Sequence, residues 1–138
     1  MSRRCLLALA VLLAACNANG PPLVVEDVVV TRPVPGSAMS AAYFRLHNPG
    51  REPVVVTGVR SPDFMRVEMH ETTVEDGISR MRPLEALRLE PGETVEFRRG
   101  GRHLMLAGPA ADAGPVTLEF LAGDSLLLSV SVARREGS

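Results

Sequence analysis

Beyond residue 22, apolar and polar side chains alternate in short runs, and no window sustains a helical period. Alternation at period two marks half-buried strands. It predicts strands over Leu23–Arg32, Ser40–His47, Pro53–Arg60, Phe64–Thr73, Ile78–Pro83, Thr94–Arg98, His103–Ala107, Val116–Leu121 and Leu126–Ala133. Turn chemistry separates them at Asn48-Pro49-Gly50, Asp76-Gly77, Pro91-Gly92, Gly100-Gly101 and Gly123-Asp124. Ala110–Ala113 is the segment most open to a helical turn, which Pro109 could start and Gly114-Pro115 would end at once. Many short strands with frequent turns predict an all-β sandwich or barrel over residues 23–138.

The same alternation assigns faces. Along Phe64–Thr72, Met65, Val67 and Met69 share an apolar face and are expected in the core, which turns His70 outward with Arg66, Glu68 and Thr72. Along His103–Ala107, Leu104 and Leu106 take the core and leave His103 and Met105 together outside. A two-residue turn at Asp76-Gly77 would pair Glu75 with Ile78, Thr72 with Met81 and His70 with Pro83. Met81 and His70 then become diagonal neighbours on one face. The other face of that strand carries Ile78, Arg80 and Arg82, a poor core stripe, so an edge position is expected. Methionine on a non-core face is unusual, because apolar side chains normally go inside.

The first residues follow a different pattern. Arg3 and Arg4 precede the apolar run Leu6 to Leu13, and Ala14, Ala15 and Cys16 follow, the layout of a secretory signal. Leu13-Ala14-Ala15-Cys16 resembles a bacterial lipobox. Residues 1–15 are therefore expected to leave as a lipoprotein-type signal peptide, with Cys16 lipidated and 16–22 a tether. Asn17, where aspartate would be the usual inner-membrane retention signal, favours the outer membrane by that resemblance. The expected location is the periplasm, anchored to the membrane by lipid.

Composition narrows the chemistry. The 138 residues carry 15 basic and 16 acidic side chains, and every basic one is arginine. Without lysine there is no Schiff base and no Walker-type phosphate loop. The near-neutral charge and few aromatics exclude nucleic-acid binding through a basic or stacking surface. Two cysteines rule out a zinc ribbon, and no Ser/His/Asp set, carboxylate pair or Cys-x-x-Cys is spaced for catalysis, so no enzyme is expected. Of the remaining candidates, His47 reads as a solvated histidine beside a turn, and Arg98, Arg99 and Arg102 as a solvated rim or a dock for an acidic partner. Glu68 and Glu71 flank His70, with Glu71 on the opposite face.

His70, Met81, His103 and Met105 are spaced H-x10-M-x21-H-x-M. This resembles the signature of the periplasmic copper chaperone family often called PCuAC, as do the Tyr43-to-Asn48 stretch, the Pro91-Gly92 turn and Gly100 to Leu106. Some members carry methionine directly after the first histidine, where this chain has Glu71, and the last residues lack the His- and Met-rich tail of others. The resemblance implies a cupredoxin-like Greek-key β-sandwich. It implies His70, Met81, His103 and Met105 as ligands to one Cu(I) per chain, and the CuA-bearing subunit of cytochrome c oxidase as recipient. Cu(I) is soft and d¹⁰, and it accepts thioether and imidazole without imposing a geometry. Zinc would prefer cysteine, histidine and carboxylate over thioether, calcium and magnesium would need clustered oxygens, and a blue-copper centre would need a cysteine thiolate. Two alternatives stay open: sequestration of copper or silver without a dedicated recipient, and an envelope interaction module that binds no metal.

Overall fold

The computed structural model describes residues 22–33, 36–109 and 114–135. The expected leader, the proposed lipid carrier Cys16 and the Ala110–Ala113 segment lie outside that range. Within it the regular elements are all strands: β1 (Val24–Thr31), β2 (Met39–His47), β3 (Val54–Val56), β4 (Gly58–Arg60), β5 (Phe64–Glu75), β6 (Ile78–Pro83), β7 (Leu87–Leu89), β8 (Thr94–Phe97), β9 (Arg102–Pro109), β10 (Val116–Ala122), β11 (Ser125–Val132) and β12 (Arg134–Arg135). The fold is all-β, as the alternation predicts.

Seven strands form one sheet in the order β12-β1-β2-β8-β9-β5-β6. A second sheet runs β11-β10-β4, and β3 pairs with β7. The large sheet ends at β12 and β6, so the described residues form no closed barrel. Ala42, Phe44 and Leu46 of β2 and Leu104 and Leu106 of β9 are buried against Val116, Leu118 and Phe120 of β10. Phe44 joins the layers: its ring stacks on Phe97 at 4.3 Å and meets Phe120 edge-on at 5.4 Å. Each such aromatic pair adds about 0.5–1.5 kcal/mol to the burial itself.

Three features depart from the sequence reading. The Pro53–Arg60 strand is broken at Thr57, whose N–H donates to the Leu121 carbonyl and whose hydroxyl oxygen accepts from the Gly123 N–H. The break lets β3 pair with β7 while β4 crosses to β10. β7 is an unpredicted strand of one alternation, with Leu87 and Leu89 buried around exposed Arg88. Met65, expected in the core, is instead 89% exposed. At the start of β5 it is Phe64 that turns into the core, under the Arg134 guanidinium at 5.3 Å. Gly108 on the neighbouring strand, with φ +63°, packs against the Met65 side chain.

Candidate metal centre

Asp76 (φ 53°) and Gly77 (φ 77°) both adopt the left-handed conformation that a type I′ hairpin demands, and an Asp-Gly pair tolerates it. The turn fixes the register of β5 with β6: Glu75 opposite Ile78, Thr72 opposite Met81, and His70 opposite Pro83. This is the pairing read from the turn alone. On its other side β5 pairs with β9, placing His70 opposite His103 and Glu68 opposite Met105. Register partners share a sheet face. His70, His103, Met105 and Met81 therefore converge on one face of three adjacent strands, β6, β5 and β9.

The two imidazoles face each other with ring centroids 5.9 Å apart and planes tilted by 40°. Each has one nitrogen engaged. The His70 Nε2 lies 3.2 Å from a Glu68 carboxylate oxygen, and the His103 Nδ1 lies 3.1 Å from the Gly101 carbonyl. Carboxylate and carbonyl oxygens can only accept, so both nitrogens carry the proton as donors. In the neutral rings the lone pairs then fall on His70 Nδ1 and His103 Nε2. The His70 Nδ1 is buried and has no hydrogen-bond partner among the described residues. A buried acceptor left without a partner calls for an explanation, and an ion is one of the few available.

Backbone geometry sets up this arrangement. β8 and β9 lie end to end along β2, with Phe97 opposite Phe44 and Leu104 opposite Ala42. The chain between them bulges through Gly100, at φ 72°. Gly101 closes the bulge, its N–H donating to the Arg98 carbonyl. The Gly101 carbonyl then accepts from both the Thr72 N–H and His103 Nδ1, tying the imidazole to the β5 backbone. The Gly-Gly pair signals a turn in the sequence, but nothing there shows that its carbonyl orients a histidine.

Exposure is uneven across the four. His70 was expected to point outward; it lies on the non-core face yet is only 8% exposed. It sits on an interior strand, flanked by its register partners Pro83 and His103. Met81 lies on β6, the exposed edge of the sheet, and is 53% exposed. Among the described residues, no three or more His, Cys, Asp and Glu side chains gather to hold a metal. Met81 and Met105 carry thioethers on the same face as the two imidazoles, and a soft ion accepts both donor types.

The other candidates stay apart. The His47 Nδ1 is 2.9 Å from the Thr94 hydroxyl, at the far end of β2. Met69 is buried in the core, as expected. Glu71 pairs with Arg102 at 3.1 Å rather than with His70, and Arg99 lies over the Tyr43 ring at 5.6 Å.

A family model described as "Putative lipoprotein LpqE-like" matches residues 23–132, four-fifths of the sequence. The chain belongs to the LpqE-like family. A protein of Leifsonia xyli subsp. xyli, named as a putative lipoprotein, is 32% identical over 75% of this chain. The match spans 66% of that relative's length. Among solved structures, the copper-bound PCuAC domain from PmoF2 superposes with TM-score 0.64 at 21% identity, covering 84% of this chain and 94% of that one. The Cu(I) form of DR1885 from Deinococcus radiodurans gives 0.62 at 23% identity, covering 88% and 83%. These likenesses show that the LpqE-like chain shares the cupredoxin-like fold of PCuAC domains. The family match over residues 23–132 contains His70, Met81, His103 and Met105.

Proposed function

We propose that this LpqE-like chain is a periplasmic Cu(I) carrier, held at the membrane through a lipidated Cys16, and that His70, Met81, His103 and Met105 bind one Cu(I) as cargo. The observation that carries the reading is the buried, unpartnered His70 Nδ1, beside a second imidazole whose Nε2 is left with its lone pair. Two thioethers on the same face complete a neutral N2S2 set, which holds Cu(I) without thiols that would oxidise outside the cytoplasm. Copper-bound PCuAC domains of the same fold support the reading. The role is binding and passing on, not catalysis. The CuA-bearing subunit of cytochrome c oxidase is the recipient we favour, and outer-membrane anchoring the placement. The half-exposed Met81 on an open edge favours transfer over storage, since an incoming ligand reaches it directly.

The test is an anaerobic Cu(I) titration of the purified protein against a chromophoric chelator. Uptake of one Cu(I) is expected, and failure to compete removes the reading. Deleting the gene then separates the roles. Loss of oxidase activity at low copper marks delivery, whereas sensitivity to excess copper alone marks sequestration.

Two further results are expected. Imidazole ligates only when neutral, so Cu(I) affinity falls on acidification; an affinity that stays flat from about pH 8 to about pH 5 contradicts histidine ligation. Glu68 orients His70, and such an outer partner typically contributes about 10–100-fold in metal affinity. Glu68→Gln keeps size while weakening the acceptor, so a loss of about 10-fold is expected, with the circular dichroism spectrum unchanged.

A further inference from the structure

Sequence alternation starts the second strand at Ser40, but β2 begins one residue earlier, and this brings another methionine to the site's face. Met39 stands opposite Ala107 of β9, while Ala41 stands opposite Met105. Ser40, Ala42, Phe44 and Leu46 are buried on the core side of β2, so Met39 and Ala41 share the outer face with Met105 and His103. Met39 and Met105 are thus diagonal neighbours, about 7–8 Å apart at the backbone and within reach of two long side chains. The register positions that complete this square, Ala41 and Ala107, carry only methyl groups. Met39 is 36% exposed, an apolar side chain turned to solvent rather than to the core.

We propose that Met39 is a further thioether ligand for a soft monovalent ion, sharing Met105 with the four-residue set and forming a weaker outer subsite through which Cu(I) enters or leaves. The inference rests on the carrier reading above. Two thioethers hold an ion less tightly than two thioethers and two imidazoles, so the subsite fills only after the main set. Exchange at Met105 lets the ion change partners without being stripped of ligands, and no change of oxidation state is involved. At the other end of the face Met81 stands in the same diagonal relation to His70, so soft sulfur flanks the imidazole pair on both sides.

The experiment is a titration of methyl-¹³C-methionine protein with Ag(I), a redox-inert soft monovalent probe, with Met39, Met65, Met69, Met81 and Met105 assigned by single Met→Leu substitutions. The Met81 methyl signal is expected to finish shifting within the first equivalent, whereas Met105, shared with the outer subsite, shifts in the first equivalent and again in the second phase. The Met39 signal is expected to follow in a second, weaker phase. Met65, 89% exposed and packed on Gly108 outside the four-residue set, reports the response of any solvated thioether and should stay put. A Met39 signal that stays still through two equivalents, or only tracks Met65, overturns this inference while leaving the carrier reading intact. If Met81 and Met105 do not move in the first equivalent, the carrier reading fails and this inference falls with it. Met39→Leu, a near volume-conserving change, should keep the first phase and lose the second; a variant that retains both phases overturns the proposal.

Discussion

Alanine at His70 or at His103 is expected to weaken Cu(I) binding by at least about 100-fold, beyond the 10–100-fold that an orienting partner typically supplies. Each substitution removes one of two imidazoles facing each other at 5.9 Å and leaves thioethers as the main donors. The two variants differ in what else they disturb. His103 is half-buried and anchored through the Gly101 carbonyl, which keeps its bond from the Thr72 N–H when the ring is removed. His70 is buried, so its alanine variant also leaves a small cavity and releases the Glu68 carboxylate. His103→Ala is therefore the cleaner test of ligation and should unfold near the parent temperature. His70→Ala should lose both copper and some stability. Chelator competition beside thermal unfolding reads the two effects separately. If His103→Ala binds Cu(I) as tightly as the parent, the two-imidazole site is wrong.

Local chemistry made part of this site legible in the sequence. Asp76-Gly77 admits essentially one turn geometry, so the β5–β6 register follows from counting outward from it. Leu104 and Leu106 need burial, and this alone turns His103 and Met105 the other way. The pairing of β5 with β9 was not legible, because about thirty residues separate the histidines and no turn links the strands. The facing of His70 and His103 therefore had to come from the fold. Alternation misled at Met65, where it assumes that a strand stays flat and covered to its end. It also missed β7 and the first residue of β2, because three residues, or a strand's terminal residue, give too few positions for a period to register. The Gly101 carbonyl belongs to the backbone, and no side-chain pattern reports it.

Asn48→Ala is expected to have the largest effect on stability, about 2–4 kcal/mol, lowering Tm by about 10 °C or more. Asn48 is fully buried at the end of β2, an unusual place for an amide unless every polar atom is satisfied. Its Nδ2 donates to the carbonyls of Glu52 at 2.8 Å and of Leu89 and Glu90 at 3.2 Å, and its Oδ1 accepts from the Gly50 N–H at 2.9 Å. Its backbone N–H donates to the Glu93 carbonyl, and its carbonyl accepts from the Gly92 N–H. One side chain thus ties the 49–52 turn to the end of β7 and the Pro91-Gly92 turn. Alanine would keep both backbone bonds but remove all four side-chain bonds, including the buried one to the Leu89 carbonyl. Asn48→Asp should be at least as damaging, because a carboxylate cannot donate to three carbonyls and its charge would be buried beside them. Because the amide lies at the opposite end of β2 from Met39 and the His/Met face, the folded fraction should still bind one Cu(I) with parent affinity. Thermal unfolding and chelator competition on the same sample check both halves. Parent-like Tm in Asn48→Ala would mean that water or a shifted backbone satisfies these groups, and that the amide is not what holds the turn.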